Sequence, residues 1–355
     1  MKFGLKSNVM RTKSRLYNDF IDDLKKNEAS LNTNNQEVDC LIIKPVNRWI
    51  DEAKNRPIPN MLCSELWYEN ELCILFADTN LGKSILAVQI ADSISRGEAI
   101  DGFKLESKPK NVLYLDFELS DKQFEKRYSN NYQEHYRFHP NFYRAELNTG
   151  AELPSNYKNL EEYVCHSITE NILTNNIEVI IIDNLTFLNS DNEKAKDALV
   201  LMKFLIKIKK KYGVSILVLA HTPKRDESKP ICKNDLSGSK MLMNFCDSAF
   251  AIGRSTVAHN FRYIKQIKQR NTEHVYHIEN VIVCKIDQKH NFLGFEFLDY
   301  DSEYSHLKSY KTNDLEGRDT EMIGYIKDGK SNVEIGKLLG ISEGTVRKRK
   351  KALNL

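Results

Sequence analysis

The sequence predicts an α/β fold: a mostly parallel central sheet that passes into an antiparallel C-terminal meander, followed by a small all-α helix-turn-helix domain. Three observations predict it. Nearly continuous apolar runs at 72–77, 111–118, 177–183 and 214–221 have the pattern of strands buried on both faces, and helical spacings separate them. From Asp247 onward the runs shorten and alternate, at 247–252, 261–270, 281–286 and 292–297, as hairpin strands do. Beyond residue 318 the apolar positions Met322, Ile323 and Ile326, then Val333, Ile335, Leu338 and Leu339, then Val346, fit three short helices.

With 355 residues, 41 % of them hydrophobic, the chain can build one large domain with appendages or two domains. A net charge of +3 says little about partners, although residues 347–351 are all basic. The seven cysteines are odd in number, spread out and never in a C-x-x-C pair, so they read as free thiols in a reducing compartment. No apolar run approaches the roughly 20 residues that span a bilayer, and Met1–Ser7 lacks the apolar core of a signal peptide. A cytoplasmic protein with no membrane partner is expected.

Residues 1–58 are polar, with one helical pattern at Leu16, Phe20, Ile21 and Leu24 before an Asn-rich stretch. They read either as a surface helix with a linker or as an oligomerisation arm. Pro57-Ile58-Pro59 marks the entry to a core over 59–300, residues 301–317 read as a polar linker, and 318–355 carry the three short helices.

The first apolar run leads into Ala77-Asp78-Thr79-Asn80-Leu81-Gly82-Lys83-Ser84, then into a helix starting with Ile85. A P-loop needs Gly, four free residues and Gly-Lys-Ser/Thr, because successive backbone N–H groups curl round a phosphate while the Lys reaches its outer oxygens. Here Ala77 stands where the first Gly belongs, which a negative φ would allow. The strand before and the helix after supply the right context, since a helix N-terminus favours a phosphate.

Later runs also end in polar residues. The second closes on Asp116-Phe117-Glu118, the third on Asp183 and the fourth on His221. Ligands in open α/β sheets gather at the carboxyl ends of the strands, so this convergence marks a site, although a lone His there could merely cap its strand. Asp183 fits the Walker B position, on a strand read as lying beside the P-loop. It can hold Mg²⁺ through water while Ser84 supplies a hydroxyl ligand. Lys207, Lys209, Lys210 and Lys211 read as the solvated end of a helix.

The segment 222–240 carries Lys224, Arg225, Lys229, Lys233 and Lys240 and reads as a long loop, functional or disordered. In the C-terminal helices Ser331 can cap the second, Gly340-Ile341-Ser342 makes a tight turn, and Thr345, Arg347, Lys348, Arg349, Lys350 and Lys351 lie on the third. Either a helix-turn-helix with phosphate-holding basic residues or a charged helical tail fits this pattern.

Together these residues resemble the RecA-like superfamily of P-loop motor ATPases, over roughly residues 60–300. Within it they look most like the RepA-like and DnaB-like ring helicases and the AAA-family ATPases of bacterial mobile elements. The discriminating point is the acid: Asp183 is followed by Asn184, whereas Leu115-Asp116-Phe117-Glu118-Leu119-Ser120 places one after the P-loop helix, where RecA-like ATPases keep it. The resemblance therefore implies ATP and Mg²⁺ as cofactors, Glu118 as general base, and His221 as sensor of the γ-phosphate. It implies a strand-binding role for 222–240 as well. Lys268-Gln269-Arg270 resembles the Lys-x-Arg of the DnaB-like group, which implies that Lys268 and Arg270 act in trans in a homo-oligomer, a hexameric ring. Ordinary edge-strand charges are the other reading of that pair.

The appended helix-turn-helix departs from the replicative helicases. The expected function is an ATP-hydrolysing DNA motor, a helicase or translocase serving replication or transfer of a plasmid or mobile element, with single-stranded DNA at the core and duplex at the C-terminal helices. An ATP-switched DNA-binding regulator and a small-molecule kinase are the alternatives.

Overall fold

The structure is a computed structural model that describes residues 41–355, apart from 149, 185–193, 224, 238, 309–311, 340 and 354; for 194–200, 239–241 and 312–316 it describes the backbone alone. The helical pattern expected at Leu16–Leu24 and the candidate Lys224 lie outside the described residues. The chain divides into two units, up to Ile58 and from Pro59 onward. In the first, helix α1 (Val46–Lys54) exposes Val46, Trp49 and Ile50, and Lys44 pairs with Glu52 at 2.7 Å.

The second unit opens with a hairpin, β1 (Met61–Cys63) and β2 (Trp67–Tyr68), before β3 (Leu72–Ala77) and α2 (Lys83–Arg96). Next come β4 (Val112–Asp116), α3 (Asp121–Arg127), a short ribbon of β5 (Ser129–Asn130) and β6 (Glu134–His135), and β7 (Phe142–Ala145). They are followed by α4 (Leu160–Thr174), β8 (Val179–Asp183), α5 (Lys194–Tyr212), β9 (Ser215–His221) and α6 (Ser239–Phe245). Four strands close the sheet: β10 (Ser248–Arg254), β11 (Phe261–Lys268), β12 (Val281–Lys289) and β13 (Phe292–Asp301). Three helices end the chain, α7 (Thr312–Lys327), α8 (Asn332–Leu339) and α9 (Glu343–Ala352).

A nine-stranded sheet runs β13-β12-β11-β10-β3-β9-β8-β4-β7. From β10 to β7 every neighbour is parallel, and β10 to β13 form an antiparallel meander. The expected mixed architecture is therefore present, and its physical cause is visible in β3. Leu72, Ile74 and Phe76 join one apolar cluster with Ile168, Met202 and Leu205 of α4 and α5. Cys73, Leu75 and Ala77 face the other side and pack with Leu86, Ile90 and Ile94 of α2. The period of two thus buries both faces of one apolar run.

Three expectations change, and one strand, β7, was not read from the sequence. The strand of Asp183 does not lie beside β3, because β9 is inserted between them. The segment after α3 contributes β7, an edge strand paired with β4, whose half-exposed residues give a weak apolar signal. Residues 301–317 are not a bare linker: Glu303 and His306 are buried, and α7 begins at Thr312. The Glu303 carboxylate is buried because Lys265 pairs with it at 2.5 Å and the Ile231 N–H donates to it at 2.6 Å. Those bonds also hold the chain at Ile231 against the core, where Ile231 and Leu236 are buried, so the stretch 231–236 is packed.

In the C-terminal helices Met322, Ile335 and Val346 form a small core. The Ser331 hydroxyl accepts the Glu334 N–H at 3.3 Å while the Glu334 carboxylate accepts the Ser331 N–H at 2.8 Å, a reciprocal cap. Gly336 lies so close to the following turn that a Cβ would stand 2.8 Å from the Ile341 carbonyl oxygen.

Gly253 makes a comparable allowance in β10, where a Cβ would meet the ring of buried Tyr263 at 2.0 Å. Gly253→Ala is expected to cost about 1–3 kcal/mol of unfolding free energy through overpacking. Urea denaturation measures it, and a variant as stable as wild type would refute the packing argument.

Candidate functional site

The P-loop connects β3 to α2 at the carboxyl edge of the parallel strands. Asn80 (φ 61°) and Gly82 (φ 95°) take left-handed conformations, which Asn tolerates and Gly permits. Ala77 is not among the described residues with positive φ. Its Cβ is accommodated because Ala77 still belongs to the strand, in register with His221 on β9. At Gly82 a Cβ would come within 2.7 Å of the Ile286 side chain and 2.9 Å of Phe295, so β12 and β13 pack directly against the loop. Asp78 accepts the Thr79 N–H at 2.7 Å, and Ile85 packs into the cluster on the α2 face.

Lys83 heads α2. Its ammonium donates to the carbonyls of Ala77 (2.9 Å) and Asp78 (3.2 Å) and lies 3.4 Å from His221 Nδ1. Burial lowers its pKa, while the charges of Asp183, Glu118 and Asp78 oppose that shift. Asp183, 1 % exposed at the end of β8, accepts the Tyr114 hydroxyl at 2.5 Å and a hydrogen bond from Ser84. Glu118 sits two residues beyond the end of β4. Its Oε1 accepts the Asn184 amide and lies 3.5 Å from His221 Nε2, which is itself 2.9 Å from Asn184 Nδ2. Burial, together with the charge of Lys83, lowers the His221 pKa, against the pull of Glu118.

Two of the sequence-expected strand ends, Glu118 and His221, thus meet the P-loop lysine through one set of polar contacts, and the third, Asp183, bonds to Ser84 beside it. Asn184, Tyr114, Asp116 and Arg144 complete it, and sequence reasoning had given none of them a role. Asp116 accepts the N–H groups of Glu118 (3.2 Å) and Leu119 (3.0 Å) on one oxygen and Arg144 Nε (2.9 Å) on the other, which fixes the turn that presents Glu118. Asp116 carried a signal as the last residue of its apolar run; Arg144, on the unexpected β7, carried none.

The Ser84 hydroxyl and the Asp183 carboxylate are adjacent hard oxygen donors. They fit Mg²⁺, which takes few protein ligands and keeps waters or phosphate oxygens for the rest. Among the described residues no group of three or more His, Cys, Asp or Glu could hold a metal ion, so a cation here would be shared with a phosphate.

Residues 43–227, which include the P-loop, Glu118, Asp183 and His221, match the AAA domain family. The chain belongs to the AAA domain family. The matched segment holds the P-loop, so it is an AAA-type P-loop ATPase domain. The KaiC-like protein PH0186 from the hyperthermophilic archaeon Pyrococcus horikoshii OT3 has a solved structure that aligns over 65 % of this chain and 91 % of its own, with 13 % identity and a TM-score of 0.42, too low to add to the assignment. No curated protein matches the chain.

The other candidates of this AAA-domain chain are scattered. Lys268 donates to the Met243 (2.5 Å) and Cys246 (2.6 Å) carbonyls, and Arg270 pairs with Asp247 at 3.1 Å. Lys268 is in register with Ala249 at the start of β10, the edge of the sheet opposite the P-loop. Arg225 turns to the carbonyls of Asp226 and Lys229, Lys229 lies 3.7 Å from Asp226, and Lys233 is exposed on a 3₁₀ turn. Lys240 lies on α6. On α9, Arg349 makes a bidentate pair with Asp319 of α7 and Lys350 donates to Asn332 of α8. Arg347 pairs with Glu343 on its own helix, and Thr345, Arg347, Lys348 and Lys351 are exposed. No helix among the described residues is long and apolar enough to cross a membrane.

The Asp183 carboxyl is pushed up to about 6, chiefly by burial, with the charges of Glu118 and Asp116 adding and the Ser84 and Tyr114 hydrogen bonds opposing. Its unfolded value is 3.8. The folded chain therefore holds this proton more tightly, so the group favours folding below about pH 4 and costs stability as pH rises through 6. In Mg²⁺-free buffer at pH 8, Asp183→Asn is expected to be more stable than wild type by on the order of 1–3 kcal/mol. The gap should close near pH 4. Urea denaturation at the two pH values measures it, and a less stable variant at pH 8 would refute it.

Proposed function

We propose that this chain is an ATP-driven DNA motor, a RepA-like or DnaB-like oligomeric helicase or translocase serving replication or transfer of a plasmid or mobile element. The observation that carries the reading is the contact set Lys83–His221–Asn184–Glu118, drawn from the P-loop and the ends of three strands. Backbone N–H groups of 78–85 cradle the triphosphate and Lys83 turns to its outer oxygens. Mg²⁺, bound by Ser84 and through water by Asp183, would neutralise phosphate charge. Glu118, its turn held by Asp116 and Arg144, orients and deprotonates the attacking water. His221 touches both Lys83 and Glu118 and begins the loop that carries Arg225, Lys229 and Lys233, so a change at the phosphate reaches that loop directly.

Residues 318–355 are proposed as the helix-turn-helix domain. The close approach of Gly336 to Ile341, the cap at Ser342 and the exposed Thr345, Arg347, Lys348 and Lys351 support placing α9 against duplex DNA. A hexameric ring remains part of the proposal through the resemblance to the ring helicases. Lys268 and Arg270 are proposed to act in trans in that ring, which would require them to leave Met243, Cys246 and Asp247.

Wild-type protein is expected to hydrolyse ATP faster with single-stranded DNA, while Glu118→Gln lowers kcat by on the order of 10²-fold or more and still binds nucleotide. Lys83→Ala should lose binding. Steady-state ATPase assays with single-stranded, duplex and no DNA, run beside a strand-separation assay, decide the matter. A DNA-stimulated oligomer that never unwinds or translocates would point to the ATP-switched regulator instead.

At the C-terminal helices, removing Arg347 and Lys348 should weaken duplex binding evenly across sequences and flatten the salt dependence by about one unit of slope per lost phosphate contact. Arg349→Ala should chiefly destabilise the helices, because it breaks the pair with Asp319. Fluorescence anisotropy across a salt series and thermal melts separate the two effects; equal behaviour of the variants would refute the assignment.

A further inference from the structure

Arg262, on β11, is 6 % exposed, yet no carboxylate among the described residues pairs with it. Its Nε donates to the carbonyl of Leu81 in the P-loop at 3.3 Å, and its Nη1 donates to the carbonyls of His259 (2.8 Å) and Phe261 (2.7 Å). In register beside it on β10 stands Arg254, a second cation. A buried guanidinium with neutral partners and a like charge at its side carries a large desolvation cost. Burial, and then the charge of Arg254, lower its pKa, but an arginine keeps its proton. A fold retains such a group where the charge has a use.

The neighbouring site supplies that use. Asp78, Glu118 and Asp183 surround Lys83, while Asp116 is already matched by Arg144. Those carboxylates work against a polyphosphate, so a further positive charge behind the loop favours its binding. The bond to Leu81 also has a direction. In a trans peptide C=O and N–H point opposite ways, so drawing the Leu81 carbonyl toward Arg262 turns the Gly82 N–H the other way, toward the cradle of the loop.

We propose that Arg262 is a positioning residue for nucleotide binding, whose charge behind the Leu81–Gly82 peptide adds to the attraction for a polyphosphate and whose bond to Leu81 holds the Gly82 N–H toward the triphosphate. The inference rests on the ATP-binding reading above. It assigns a part of the site to the antiparallel meander, far from the P-loop in sequence.

The test compares Arg262→Lys, which keeps the charge, with Arg262→Gln, which keeps N–H donors and loses it. Equilibrium binding of a fluorescent ATP analogue is measured beside the thermal midpoint of each nucleotide-free protein. The expected result is a roughly tenfold weaker affinity in Arg262→Gln, affinity within about threefold of wild type in Arg262→Lys, and a Gln midpoint equal to or above wild type, since an unpaired buried charge has been removed. A lower Gln midpoint with unchanged affinity per folded molecule would make Arg262 a structural clamp and overturn the inference. So would equal affinity in both variants. Should Arg262→Gln not fold, Arg262→Met replaces it, and failure of both neutral variants beside a folded Arg262→Lys with unchanged affinity counts as the clamp. Failure of wild type itself to bind the analogue would sink the ATP reading; intact wild-type binding with an inert Arg262→Gln sinks only this inference.

Discussion

One backbone carbonyl organises the phosphate end of this protein. The oxygen of Ala77, the last residue of β3, accepts the Thr222 N–H at 3.1 Å and the Lys83 ammonium at 2.9 Å. It therefore ties together the buried strand, the loop after β9 and the P-loop lysine. The carbonyl is held in place because β3 is paired on both sides, by β9 and β10, and packed on both faces by the two halves of the core. A shift of β3 would move Lys83, His221 and the P-loop together.

The site set on that frame concentrates charge at a cost. Asp183 is almost fully buried and pushed toward its neutral form, Lys83 is partly desolvated, and the His221 ring is held toward neutrality. Groups in such positions bind an oppositely charged ligand more strongly than exposed ones, since water no longer screens them. The fold offsets the cost with fixed donors: the Tyr114 hydroxyl on Asp183, the Arg144 fork on Asp116 and the Asn184 amide on Glu118. These residues set the position of the acids and explain why the constellation spans five strands.

Much of this was legible in the chain. The runs at 72–77 and 177–182 are apolar at every buried position, so strand type and burial on both faces followed from composition alone. Gly82, Lys83 and Ser84 announced the phosphate loop, and the polar residues closing successive apolar runs marked the edge where the site lies. Less legible were the contributions of weakly patterned segments. The strand β7 is half-exposed and carries Arg144, and the buried Glu303 read as solvent-facing because its partner Lys265 is 38 residues away. The five basic residues 347–351 looked alike in sequence, but packing against Asp319 and Asn332 sets Arg349 and Lys350 apart from the exposed three.

The sequence by itself determined the types of the strongly patterned elements, the phosphate loop and the acids at the strand ends, because those depend on local periodicity and on short-range geometry. Tertiary structure alone decided the strand order, with β9 between β3 and β8, and the partners of each charged group. Pairing across a sheet joins residues far apart in the chain, and no local pattern encodes which of several similar runs will lie side by side. For the same reason the sequence could name Lys268 and Arg270 but not place them at the edge away from the P-loop, and it offered no sign that Arg262 would lie against it.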